Sequence, residues 1–174
     1  MAFVAPVTLA QPPTNEQIET ILAEPPTNQQ AVCFGSQRSM QFDVCAQGPI
    51  QRIALAARQA KKEYRPFTLA DVTSEMRENL WLVFAAPSKP IFNAGQWIVT
   101  PAAKEALFQS SGQKDVAVVR PVRLTIKPAS WGNALGAKFT SAGFTAFFNP
   151  ADLPAGQLDL IILTAAQEQR YALA

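Results

Sequence analysis

From Val122 to Lys127 the chain alternates without a break, with Val122, Leu124 and Ile126 apolar and Arg123, Thr125 and Lys127 polar. Successive side chains of a β-strand point to opposite faces, so this period of two is the signature of a half-buried strand. The stretch from Asp115 to Pro128 reads as that strand and its approach. One strand buries nothing by itself, and two are marginal, so the remainder of the chain must supply partners. It does so in short apolar runs closed by turn residues. Met40, Phe42 and Val44 alternate with Gln41 and Asp43. Leu80 to Ala85 and Gln96 to Val99 have strand length and composition. Phe139, Phe144 and Phe147/Phe148 are spaced as one or two short strands around Gly143, and Gln157 to Thr164 (QLDLIILT) is the most strand-like segment after the opening one. Gln169 to Leu173 can pair back on it as a terminal hairpin. Fourteen prolines against eight glycines suit strand boundaries and extended connections better than a helical bundle.

Helix signals cluster earlier. Thr14-x-x-Gln17 is a capping box, in which the Thr hydroxyl and Gln side chain satisfy backbone donors at a helix start. Ile18, Ile21 and Leu22 follow on one side, and Pro25 ends the helix. Thr27-x-x-Gln30 repeats the box with hardly any helix behind it. Ile50 to Tyr64 carries Ile50, Ile53, Ala54, Ala57 and Tyr64 at helical spacing. Thr68-x-x-Asp71 opens a short helical segment running to about Asn79. Thr100-Pro101, an N-cap followed by a first-turn proline, predicts a further short helix over AAKEALFQ. Strands separated by turns favour antiparallel pairing. The expected fold is therefore a β-rich α+β domain. An antiparallel β-sandwich or partly open barrel occupies its C-terminal half, with two or three short helices in the N-terminal half. The alternative is one open antiparallel sheet covered by helices.

The chain of 174 residues is long enough for one domain with a real core. Residues 31–174 read as a single globular domain and residues 1–30 as an N-terminal arm. Ala2 to Ala10 is apolar, and Thr8-Leu9-Ala10 offers the small residues of a signal-peptidase site. A charged leader is missing and the apolar stretch is short, so this is either a signal-peptide remnant or an apolar N-terminal strand. No run of 18 or more apolar residues could span a membrane as a helix.

Charged residues are 16% of the chain and the net charge is +2, too little to drive binding to nucleic acid or anionic lipid as a whole. Histidine is absent. That excludes Ser-His-Asp, Cys-His and HExxH chemistry. Ser111-x-x-Lys114 has the spacing of a serine–lysine nucleophile, but Gly112 lies between them and no KTG follows. Gly132 to Lys138 has the wrong spacing for a phosphate loop. Asp159, within the LDLIIL run, is expected to be an ordinary surface acid. No catalytic residue, metal ligand or cofactor is assigned.

Three features remain. Cys33 and Cys45 bracket a strand-like segment, and a hairpin would bring them together in a disulfide, the alternatives being two buried thiols or a redox pair. Arg52, Arg58, Lys61 and Lys62 lie on the helix over residues 50–65 and form either a binding surface or a solvated face. Of the tryptophans, Trp81 and Trp97 are expected in the core, and Trp131 in an exposed loop where it could contact a partner. The ending LPAGQLDLIILT…RYAL is similar to the turn-and-strand pattern of extracellular β-sandwich modules, which implies a fold and no residue roles. The reading that results is a non-enzymatic binding or structural module of the cell envelope or extracellular space, periplasmic or secreted, recognising a protein or glycan rather than a small molecule. The alternatives are a carboxylate-dependent hydrolase or lyase, and a cytoplasmic nucleic-acid-binding domain using the basic helix.

Overall fold

The computed structural model describes residues 12–25, 31–34, 42–111, 118–132 and 136–173. The apolar N-terminal stretch, the second capping box, all of residues 35–41 between the two cysteines, the Ser-x-x-Lys lysine and the Asp115 start of the alternating segment lie outside them.

Among the described residues three α-helices lie in the N-terminal half: α1 (Asn15–Ala23), α2 (Pro49–Lys62) and α3 (Ser74–Arg77). The described residues also form ten strands, numbered in chain order. They are β1 (Val32–Phe34), β2 (Phe42–Gln47), β3 (Trp81–Pro87), β4 (Ile91–Asn93), β5 (Gln96–Ile98), β6 (Ala103–Ser110), β7 (Arg123–Gly132), β8 (Lys138–Phe148), β9 (Leu158–Thr164) and β10 (Glu168–Leu173). All pairings between them are antiparallel. One sheet has the order β1-β2-β3-β8-β7, a second has β10-β9-β6, and β4 and β5 form a separate hairpin.

The two larger sheets share one core. Phe42 and Val44 of β2, Val83 and Ala85 of β3, and Phe144, Ala146 and Phe148 of β8 face Ala106 and Phe108 of β6, Leu158, Leu160 and Ile162 of β9, and Tyr171 of β10. Alternate residues of each strand supply this layer, as the period of two requires. Phe108 meets Phe148 edge-on at 4.5 Å, a geometry worth ~0.5–1.5 kcal/mol beyond burial. The arrangement is a sandwich, not a closed barrel, and it is sewn at both sides. On one side the Tyr171 hydroxyl accepts a hydrogen bond from the Phe42 backbone N–H at 2.8 Å and donates to Gln169 Oε1 at 2.8 Å. On the other, Val119 bridges β6 at Phe108, and the chain then turns through Pro121 into β7 on the opposite sheet.

A second apolar cluster joins the helices. Ile18 and Ile21 of α1, Ile53 and Ala54 of α2, and Val72 pack together. The Thr14 capping box is complete, with both reciprocal bonds formed. Part of the N-terminal stretch is thus helix α1 docked on α2. Arg52 of α2 ties this layer to the sheet: its guanidinium lies over the Phe147 ring at 5.6 Å from the centroid.

Three local expectations change. The Thr100-Pro101 segment leads into strand β6, not a helix. Ala106 and Phe108 enter the shared core while Leu107 and Gln109 are also buried, and seven register pairs with β9 outweigh the helix propensity of AAKEAL. The segment after Thr68 is a one-turn 3-10 helix (Leu69–Asp71) followed by the separate α3. Gly143 interrupts nothing, because β8 runs straight through it. A Cβ there would lie 2.0 Å from the Ala85 carbonyl oxygen, so glycine is what lets β8 approach β3 so closely.

Candidate functional site

The β4–β5 hairpin is built by a two-residue turn, Ala94-Gly95, with φ of 47° and 81°. Positive φ at both central positions matches the twist of a tight hairpin. This turn sets Phe92 directly opposite Trp97, and their rings lie 5.3 Å apart at 57°. Trp97 in turn contacts Phe139 of β8 at 4.8 Å and 45°. Phe139 is the register partner of Trp131 on β7. The result is a strip of four aromatic residues running from the hairpin onto the end of the large sheet. Its base is fixed by polar bonds: Ser141 Oγ, buried, donates to the Thr100 carbonyl at 2.7 Å, and Thr100 Oγ1 donates to the Ser88 carbonyl at 3.4 Å.

The strip is open to solvent at its hairpin end. Phe92 is 61% exposed, Ile91 42% and Trp97 41%, whereas Phe139 and Trp131 are half-buried. Phe92 and Trp97 are thus large apolar side chains left exposed side by side.

Trp131 therefore sits in strand β7, not a loop, and is half-buried. Trp97 lies at the surface rather than in the core, because the β4–β5 hairpin belongs to neither of the two packed sheets. Trp81 packs against the shared core, as expected. Phe92 and Phe139 carried no individual signal in the sequence. The legible clue was the Asn93-Ala94-Gly95 turn flanked by Phe92 and Trp97, whose hairpin register makes the two aromatics neighbours.

Cys33 and Cys45 are joined by a disulfide between directly opposed residues of β1 and β2. The basic helix is less coherent. Arg52 is buried, at 8% exposure. Its Nη1 donates to the Leu80 carbonyl at 2.9 Å, and Nη2 donates to the carbonyls of Glu78 at 2.8 Å, Glu75 at 3.2 Å and Met76 at 3.4 Å. Burial pulls its pKa down from the usual arginine value, opposed by the charges of Glu75 and Glu78 and reinforced by Arg123. This is a clamp on the segment leading into β3. Arg58 is half-buried, and Lys61 and Lys62 are exposed. Arg52 is thus turned into the fold and does not share a surface with the exposed Lys61 and Lys62.

Asp159 is not an ordinary surface acid: its side chain is 13% exposed. It accepts a hydrogen bond from Ser111 Oγ at 2.6 Å and lies 3.6 Å from Arg170 Nη1. Pairing with β6 and β10 on either side shelters it, which strict alternation along one strand does not reveal. Among the described residues no group of three or more His, Cys, Asp or Glu side chains could hold a metal ion, and no helix is long and apolar enough to cross a membrane.

The fold and disulfide define the class as a disulfide-bonded, strand-rich α+β sandwich. No family model, curated protein or solved structure matches the chain.

Proposed function

We propose that this protein is a non-catalytic recognition module of an oxidising compartment, and that the strip Phe92–Trp97–Phe139–Trp131 seats a protein partner. The exposed hairpin aromatics carry the reading. Tryptophan and other large rings supply much contact area at small entropic cost and dominate interface energetics. The Cys33–Cys45 bridge supports the compartment, since disulfides persist where thiols are not kept reduced.

The strip's geometry favours a protein over a glycan. Sugar rings stack on flat, well-separated aromatic faces. Here neighbouring rings are 5.3 and 4.8 Å apart and tilted by 57° and 45°, which makes a folded apolar surface suited to side chains. The test is site-specific photo-crosslinking in the native cells, with benzoylphenylalanine placed at Phe92. Discrete protein adducts at position 92, absent when the same group replaces the exposed Ala165, are the expected result. Adducts carrying only polysaccharide, or none above the Ala165 control, would overturn the reading.

A further inference from the structure

The longest exposed sheet edge of the described structure is β7. It is the last strand in the order β1-β2-β3-β8-β7, so one of its two rows of backbone N–H and C=O groups faces away from the sheet. The other edges are shorter or already engaged. β1 has three residues and is tied to β2 by the disulfide. Val119 bridges β6, and Tyr171 of β10 bonds to Phe42.

The two faces beside this edge differ. Leu124 packs against the shared core, but Val122 and Ile126, of the same parity, are 59% and 38% exposed. These two side chains on the core-side face at β7 are therefore left partly uncovered. The opposite face carries Arg123, Thr125 and Lys127, all exposed. Arg123 pairs with Glu78, and Lys127 has no ion pair among the described residues. Pro128 follows, without an N–H to offer a ladder.

We propose that Val122–Lys127 is a docking edge at which an extended segment of a partner protein, alternating apolar and acidic residues, adds as a sixth strand. The main-chain ladder supplies affinity and the alternate side chains supply selectivity. The added strand's apolar residues cover Val122 and Ile126, and a carboxylate lies beside Lys127, since Arg123 is already paired with Glu78. Charge decides against a second copy of this chain, since two β7 edges paired about a two-fold axis would set like charges on one face. This surface is separate from the aromatic strip, and its test does not depend on that reading.

The experiment is a titration of the isotope-labelled full chain, followed by backbone amide shifts and exchange. The probes are a capped octapeptide alternating valine and glutamate and its valine–lysine counterpart. Expected are saturable shifts and slowed exchange confined to residues 122–127 with the glutamate peptide, and about two- to fivefold weaker binding of the lysine peptide. In Lys127→Glu the preference inverts. No shifts at this edge, equal binding of both peptides, or shifts centred on Phe92 and Trp97 would overturn the proposal. Concentration-dependent broadening of 122–127 without peptide would also overturn it and assign the edge to self-association.

Discussion

Replacing Tyr171 by phenylalanine removes one oxygen and opens the seam between the two sheets. That hydroxyl accepts from the Phe42 N–H and donates to Gln169 Oε1, both at 2.8 Å and buried. A neutral hydrogen bond contributes about 1 kcal/mol net, and a buried donor left without a partner costs about 1–3 kcal/mol. Tyr171→Phe keeps the ring, so no cavity term is added. The expected loss is ~2 kcal/mol, or roughly 4–8 °C in Tm for a chain of this size. The assay is urea and thermal unfolding by circular dichroism. Tyr64→Phe serves as control: Tyr64 is 98% exposed, and its change should stay within about 0.5 kcal/mol. A second arm uses pH. Burial, the largest cause, raises the Tyr171 pKa; the Phe42 N–H pulls it back, and the Asp43 charge adds to the rise. The unfolded phenol releases its proton near its ordinary value of 10.0, while the folded one holds it. The folded state therefore binds more protons, and stability falls as pH rises above that value. Tyr171→Phe lacks this loss, so the gap between the two proteins should narrow in alkali. Equal stability of Tyr171→Phe and wild type at neutral pH would refute the seam, and a gap constant above pH 10 would refute the titration argument.

Four further outcomes are expected. Reduction of Cys33–Cys45, which closes a sequence separation of 12, should cost ~3 kcal/mol in the loop-entropy picture, read from urea unfolding with and without a dithiol. Arg52→Leu should cost ~3 kcal/mol or more through loss of charge-assisted bonds to four carbonyls, and Arg52→Lys should restore only part, because one ammonium cannot reproduce the planar fork. Tyr64→Gly should stabilise by about 0.5–1 kcal/mol, since Tyr64 occupies the left-handed position (φ 53°) that ends α2; unchanged or lower stability would count against this. Gly143→Ala should destabilise by ~3 kcal/mol or more, as its methyl would overlap the Ala85 carbonyl, and a variant with native Tm would show that β8 and β3 can separate.

Local patterns carried much of the fold. The alternation at Val122–Lys127, the apolar runs at Leu80 and Leu158, and the Thr14 capping box depend on neighbours within a few residues, so they are legible without tertiary contacts. The cysteine spacing was legible for the same reason, because a hairpin between Cys33 and Cys45 needs only a turn. Where local and tertiary preferences conflict, as in AAKEALFQ, propensity is worth tenths of a kcal/mol per residue. Burying Phe108 and the sides of β6 is worth several times that.

What the sequence determined by itself was the kind of element at most positions, the antiparallel strand-rich class, and the absence of histidine chemistry. Tertiary structure alone decided which faces those elements hide. It turned Arg52 inward as a clamp and Trp97 outward as a surface ring, sheltered Asp159, and left Ile126 partly uncovered. The physical reason is common to all four. Exposure of a side chain is a property of what lies across from it, and that partner is set by sheet order and chain reversals far away in sequence.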